Sequence, residues 1–165
     1  VENNISLYAA HLPLDCHDEV GNNVELARIL GLELKQKFGD YHGVEIGFIA
    51  EAERSLTRSG LAARIAKRLD CRVDRLDFGP EKIKRVGIVS GEAAGFAAEA
   101  KELGCAAFIT GETSHTAYHL AREAGINVMY AGHYASETVG VKALARRLAE
   151  DMSIDCKFIS APTGY

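Results

Sequence analysis

The chain has no CxxC pair and no dense cysteine framework. Its four cysteines, Cys16, Cys71, Cys105 and Cys156, are scattered over 165 residues, so neither a zinc ribbon nor a disulfide-stapled miniature fold can be built from them. They read as reduced residues, mostly in the core, of a cytoplasmic protein. An apolar run of about 18 residues is also missing, as is a charged-then-apolar leader, and nothing points to membrane insertion or export. Excess positive charge is absent too. A net charge of -4 and a pI near 5.9 give no electrostatic reason to expect nucleic acid or an anionic membrane as partner. The local basic clusters Arg64, Lys67, Arg68 and Lys142, Arg146, Arg147 fall on polar faces of helical patterns, as solvated surfaces do.

Several catalytic signatures are lacking as well. The turn SGEAAG at 90–95 is neither GxGxxG nor GxxxxGK(S/T), so it makes no case for a phosphate loop. No GxSxG elbow is present, which leaves Ser90 and Ser136 weak nucleophile candidates. In HTAYH, His115 and His119 stand four apart, yet Thr116 occupies the place of the glutamate that a zincin helix needs. His115 is read as a helix-surface or N-terminal-turn residue, and His119 is kept as a candidate pocket residue.

What is present is an ordinary globular composition, 47% hydrophobic and 25% charged, in a chain long enough for one core built as a single unit or as two packed lobes. Apolar runs predict strands over 5–10, 44–50, 71–78, 85–90, 106–110, 126–131 and 155–160. Helical spacing appears after Asn22, ending at Gly31, over 56–69, over 96–103, from 115 to Ala124 and from 136 to about Glu150. Strands alternating with helices through short links predict an α/β fold around a mixed, partly parallel sheet, with residues 1–165 as one unit. Ligands of such folds sit beyond the carboxyl ends of strands. Three polar turns, 90–95, 111–114 and 132–137, fall at such ends.

The chemistry concentrates in AGHYASE, residues 131–137. With Ser136 read as the N-cap, Glu137 falls in the first helical turn and His133 just before it. Their spacing lets an imidazole and a carboxylate face one divalent cation, the alternative being a surface histidine beside a first-turn acid. Asp15, in the polar loop HLPLDCHDEVGNN after the first predicted strand, is the best remote third ligand, with an Asx turn or a cap as its other reading. His11 and His17 share that loop as candidate ligands or hydrogen-bonding neighbours of one. Glu112, in the turn GETS, joins His11 and His119 as a candidate pocket residue.

Taken in order and spacing, NNISLYAAHLPLDCHDEVGNN, FITGETSHTAYHLAREAG and AGHYASETVGVKAL, with the ending FISAPTGY, resemble the dinuclear-metal-centre hexameric proteins labelled type 2 GTP cyclohydrolase I homologues. The likeness covers essentially the whole chain, with residues 33–84 matching mainly in pattern. It implies Asp15, His133 and Glu137 as metal ligands, two divalent ions per site (zinc, iron or manganese), and a metal-dependent hydrolase acting on a small molecule. It also implies a ring-like homohexamer, with no membrane partner. Members carry a consecutive histidine pair upstream, and this chain has no adjacent histidines. The expectation is therefore a fragment of a longer chain, lacking the N-terminal lobe that holds the pair. Three ligands alone hold two metals poorly, so a non-catalytic metal-binding scaffold and an α/β fragment without a competent site remain as rival readings.

Overall fold

A computed structural model describes residues 2–162. After a short helix, α1 (Leu12–Asp15), come α2 (Asn22–Leu30), β1 (Leu32–Tyr41), β2 (Val44–Thr57), α3 (Arg58–Leu69), β3 (Asp74–Asp77) and β4 (Lys82–Ile88). A turn of 3-10 helix at Ala94–Phe96 leads into α4 (Ala97–Glu102), followed by β5 (Ala107–Thr110), α5 (His115–Ala124), β6 (Asn127–Tyr130) and α6 (His133–Met152). The six strands form one sheet in the order β1-β2-β4-β5-β6-β3. Neighbours β4, β5 and β6 run parallel, whereas β1, β2 and the far edge strand β3 pair antiparallel. The expected mixed α/β architecture is present.

Parallel strands are stable when both faces are covered, and the four residues of β5 and of β6 are all buried. Alternation along each strand feeds two cores. Ile88, Ile109 and Met129 enter one core with Leu26 of α2, Leu61 and Ile65 of α3, and Val139 of α6. Phe108, Val128 and Tyr130 enter the other beneath α4 and α5, where Phe38 meets Phe108 edge to face at 6.4 Å. No described helix is long and apolar enough to cross a membrane.

Four expectations change. Residues 5–10 form no strand: composition alone does not make one without a neighbour to pair with, and Ile5, Leu7 and Tyr8 are exposed. Residues 155–160 are likewise outside the sheet; Phe158 lies under the Lys142 ammonium, and Ser160 and Ala161 hydrogen-bond the Tyr134 hydroxyl. In the other direction, β1 was not foreseen. It is made by a tight hairpin in which His42 and Gly43 both take positive φ, 56° and 87°, the geometry that matches strand twist in two-residue turns. Finally, β2 runs on to Thr57, whose hydroxyl accepts from the Gly60 N–H at 3.0 Å and so fixes the start of α3 at Arg58 rather than at residue 56.

Candidate functional site

The three parallel strands end side by side, and the residues that follow them interlock. The Gly91 carbonyl accepts from the Gly111 N–H at 2.9 Å, the Glu112 N–H at 3.0 Å and the Thr110 hydroxyl at 3.1 Å. Gly132 N–H donates to the Gly111 carbonyl at 3.0 Å. Gly91 N–H donates to Ser136 Oγ at 3.2 Å, and that hydroxyl donates to the His133 carbonyl at 2.9 Å. The turns after β4, β5 and β6 thus form one brace. Two glycines permit it. A Cβ on Gly111 would lie 2.8 Å from His133 Cα and from Ser136 Oγ. Gly91, at φ +67°, lies against the Glu137 carboxylate and His133 Nε2, and a Cβ there would collide with Glu137 Oε1 and stand 3.3 Å from His133 Nε2.

This brace explains why Ser136 is not the N-cap of α6. Its hydroxyl is committed to Gly91 and to His133, Gly132 occupies the cap position, and the helix begins at His133. Glu137 therefore stands in the second turn, one turn beyond His133, where i and i+4 side chains meet. His133 Nε2 lies 3.1 Å from Glu137 Oε1, and His133 Nδ1 makes a short contact with Glu112 Oε1. Burial lowers the proton affinity of His133, but the hydrogen bond to Glu112 and the charges of Glu137 and Glu112 outweigh it and raise the imidazole above its ordinary range. Burial also pushes the Glu137 carboxyl up. Asp15's charge adds to that push, against the opposing pull of His133 and His11.

Asp15 is buried at the end of α1, and neither an Asx turn nor a cap accounts for it. Its Oδ1 accepts from Asn22 Nδ2 at 2.7 Å and from Ser90 Oγ at 3.0 Å. Asn22 Oδ1 in turn accepts from the Gly140 N–H of α6 at 2.8 Å. Asn23, with no exposed surface, donates to the carbonyls of Asp15 (3.2 Å) and Ile46 (2.7 Å) and accepts from the Ser90 N–H at 2.7 Å. The asparagine pair carries the loop of Asp15 against the brace. Its signal was two adjacent amides ahead of an apolar helix face.

The other candidates divide. Glu112 contacts His133 directly, and His11 is exposed just before α1, close enough for its charge to act on Glu137. His17 is spent on its own turn, its Nδ1 accepting from the N–H groups of Glu19 and Val20. On the exposed side of α5, the rings of His115 and His119 meet each other at 6.0 Å between centroids, and His119 also meets Tyr118. Two hollows flank the Glu112 and His133 pair. One, of about 350 Å³, runs between Glu137 and the apolar side chains of Val141, Phe158 and Ile159. The other, of about 870 Å³, extends past Thr113 and Tyr130 toward Cys71 and Arg72.

The model of the Duf34/NIF3 (NGG1p interacting factor 3) family matches residues 1–163. The chain belongs to this family. Among Duf34/NIF3 relatives, the "GTP cyclohydrolase 1 type 2 homolog" of Archaeoglobus fulgidus is 44% identical over 163 residues, covering 99% of this chain and 64% of its own length. That of Pyrococcus horikoshii is 45% identical over 161 residues, covering 97% and 64%. Among solved structures, protein ybgI, of unknown function, superposes with a TM-score of 0.93 at 36% identity, over 100% of this chain and 65% of that one. TTHA1606 from Thermus thermophilus gives 0.83 at 37% identity, over 99% and 64%. The chain thus spans about 64% of the length of these curated Duf34/NIF3 relatives.

As donors, one imidazole nitrogen with carboxylate oxygens suits a borderline divalent ion. The 3.1 Å between His133 Nε2 and Glu137 Oε1 lets both face one ion. In number the donors fall short. Among the described residues, no three His, Cys, Asp or Glu side chains are gathered closely enough to hold a metal ion by themselves.

Proposed function

We propose that the chain contributes Asp15, His133 and Glu137 to a dinuclear divalent-metal centre of a metal-dependent hydrolase that acts on a small molecule. The observation that carries this reading is the pairing of His133 Nε2 with Glu137 Oε1 at 3.1 Å, a separation that suits two donors on one divalent ion. Gly91, at φ +67°, has no Cβ to push this pair away, and the Glu137 carboxylate is pressed by burial and by the charge of Asp15. A cation there would relieve two neighbouring carboxylates at once. Zinc, iron and manganese all accept this mixture of donors.

Bound to such ligands, a metal supplies a water molecule acidic enough to be hydroxide near neutral pH. The chain's own groups do the rest. His133 offers the nitrogen position, Glu137 and Asp15 offer anionic oxygens, Asn22 and Ser90 fix the Asp15 carboxylate by hydrogen bonds to Oδ1, and the flanking hollows give a substrate room beside them. The name of the curated relatives, "GTP cyclohydrolase 1 type 2 homolog", supports a hydrolytic reaction. The setting that goes with the reading is a ring-like homohexamer in the cytoplasm.

The test is hydrolysis of purine nucleotides and simple phosphate esters by this chain, and by the chain extended to the length of its relatives, each loaded with zinc or manganese and then treated with chelator. The proposal expects turnover that chelation abolishes and metal restores. Equal rates with and without chelator contradict it. Tight metal binding with no turnover of any substrate favours the non-catalytic scaffold, whose metal would have no open coordination position.

A further inference from the structure

We infer that Glu112 is the positioning residue of His133, its carboxylate accepting from Nδ1–H so that the Nε2 lone pair is left on the side of Glu137. The consequence for metal binding rests on the function proposed above; the orientation of the ring does not.

A neutral imidazole carries one N–H, and which nitrogen bears it is set by the partner of the other. His133 lies between two carboxylates, Glu112 at Nδ1 and Glu137 at Nε2, and the Glu112 contact is the closer of the two. Glu112 is also the better mounted. Its N–H donates to the Gly91 carbonyl at 3.0 Å, next to the bond from Gly111, and Gly111 lies flush against the His133 backbone because it has no Cβ. The His133 backbone is fixed in turn by Ser136 Oγ on its carbonyl and by the bond from Gly132 to Gly111. Both ends of the contact stand on the same three-turn brace. A proton on Nδ1 leaves Nε2 as the acceptor, the form in which imidazole ligates a metal. Were Glu112 absent, the proton would move to Nε2, donate to Glu137 and block the ligand position.

The Glu112 side chain is 43% exposed, so its replacement leaves the core untouched. The experiment compares the wild-type chain with Glu112→Ala and Glu112→Gln, the latter keeping an oxygen that accepts from Nδ1–H. In metal-free protein at about pH 9, above the ordinary imidazole range, long-range proton–nitrogen NMR of the His133 ring reads the tautomer directly. The wild type and Glu112→Gln are expected to show Nδ1–H, and Glu112→Ala to shift to Nε2–H with an unchanged thermal midpoint. Zinc titration of Glu112→Ala is expected to show affinity weakened roughly 10–100-fold, with partial recovery in Glu112→Gln. A wild-type ring protonated on Nε2, or the same tautomer in Glu112→Ala, overturns the inference. If the wild type shows Nδ1–H and Glu112→Ala loses it while neither binds zinc, the orientation stands and the metal reading fails.

Discussion

Replacing Asn23 by alanine tests how the Asp15 loop is held to the sheet. The side chain is fully buried and makes three hydrogen bonds, to the carbonyls of Asp15 and Ile46 and from the N–H of Ser90. Truncation strands one backbone donor and strips two backbone acceptors in a place closed to solvent. A buried polar group left unpaired costs about 1–3 kcal/mol. The carbonyls retain second lone pairs and lose less than the N–H, so the expected total is on the order of 3–5 kcal/mol. Against a typical domain stability of about 5–15 kcal/mol, that is a large share. Urea unfolding followed by circular dichroism is the assay, with a lower midpoint at an unchanged slope. Asn23→Asp keeps the acceptor for Ser90 but turns an anionic oxygen toward two carbonyl oxygens, and it should be at least as destabilising. A loss below about 1 kcal/mol for Asn23→Ala would refute the reasoning, because it would mean that the three groups do not depend on the amide.

Two further outcomes follow from the same geometry. Gly91→Ala places a side chain at φ +67° and in the space shared by Glu137 and His133; it should cost about 1–2 kcal/mol in backbone strain alone and weaken zinc binding measured by calorimetry, and unchanged binding would remove Gly91 from the site. Burial pushes the Cys105 thiol up to about 11, with Arg85 opposing, so below the ordinary value of 9.0 folded and unfolded thiols are both protonated and no stability is lost. As pH rises from about 9 to about 11 the unfolded chain deprotonates first, and stability should fall by roughly 2–3 kcal/mol. A Cys105→Ala chain should lack that part of the alkaline loss in urea titrations, and equal losses in both chains would contradict it.

The parallel core was legible because β5 and β6 are short, mostly apolar runs separated by helical spacing, and local pattern is enough to reveal such units. The polar turns after β4, β5 and β6 followed from that topology, and with them the neighbourhood of His133 and Glu137. Other features were not written locally. Residues 5–10 have the composition of a strand, but a ladder needs a partner, which composition does not supply. In β1, LELKQKFGDY, an edge position leaves a run of polar side chains exposed, which hides the strand period. Ser136 carries a capping signature, and a tertiary bond to Gly91 redirects its hydroxyl. Asn23 was least legible, since its partners lie 8, 23 and 67 positions away. Its role exists only once the loop and the sheet are folded against each other.

The central claim is that Asp15, His133 and Glu137 contribute ligands to a divalent-metal centre at the ends of β4, β5 and β6. Its most direct test is the metal content and zinc affinity of the chain extended to the length of its relatives, beside Asp15→Asn, His133→Ala and Glu137→Gln in the same extended chain, each first shown to be folded by circular dichroism. The account predicts bound divalent metal in the wild type and its loss, or at least about tenfold weaker binding, in every one of the three variants. Equal metal uptake by all four proteins would contradict it.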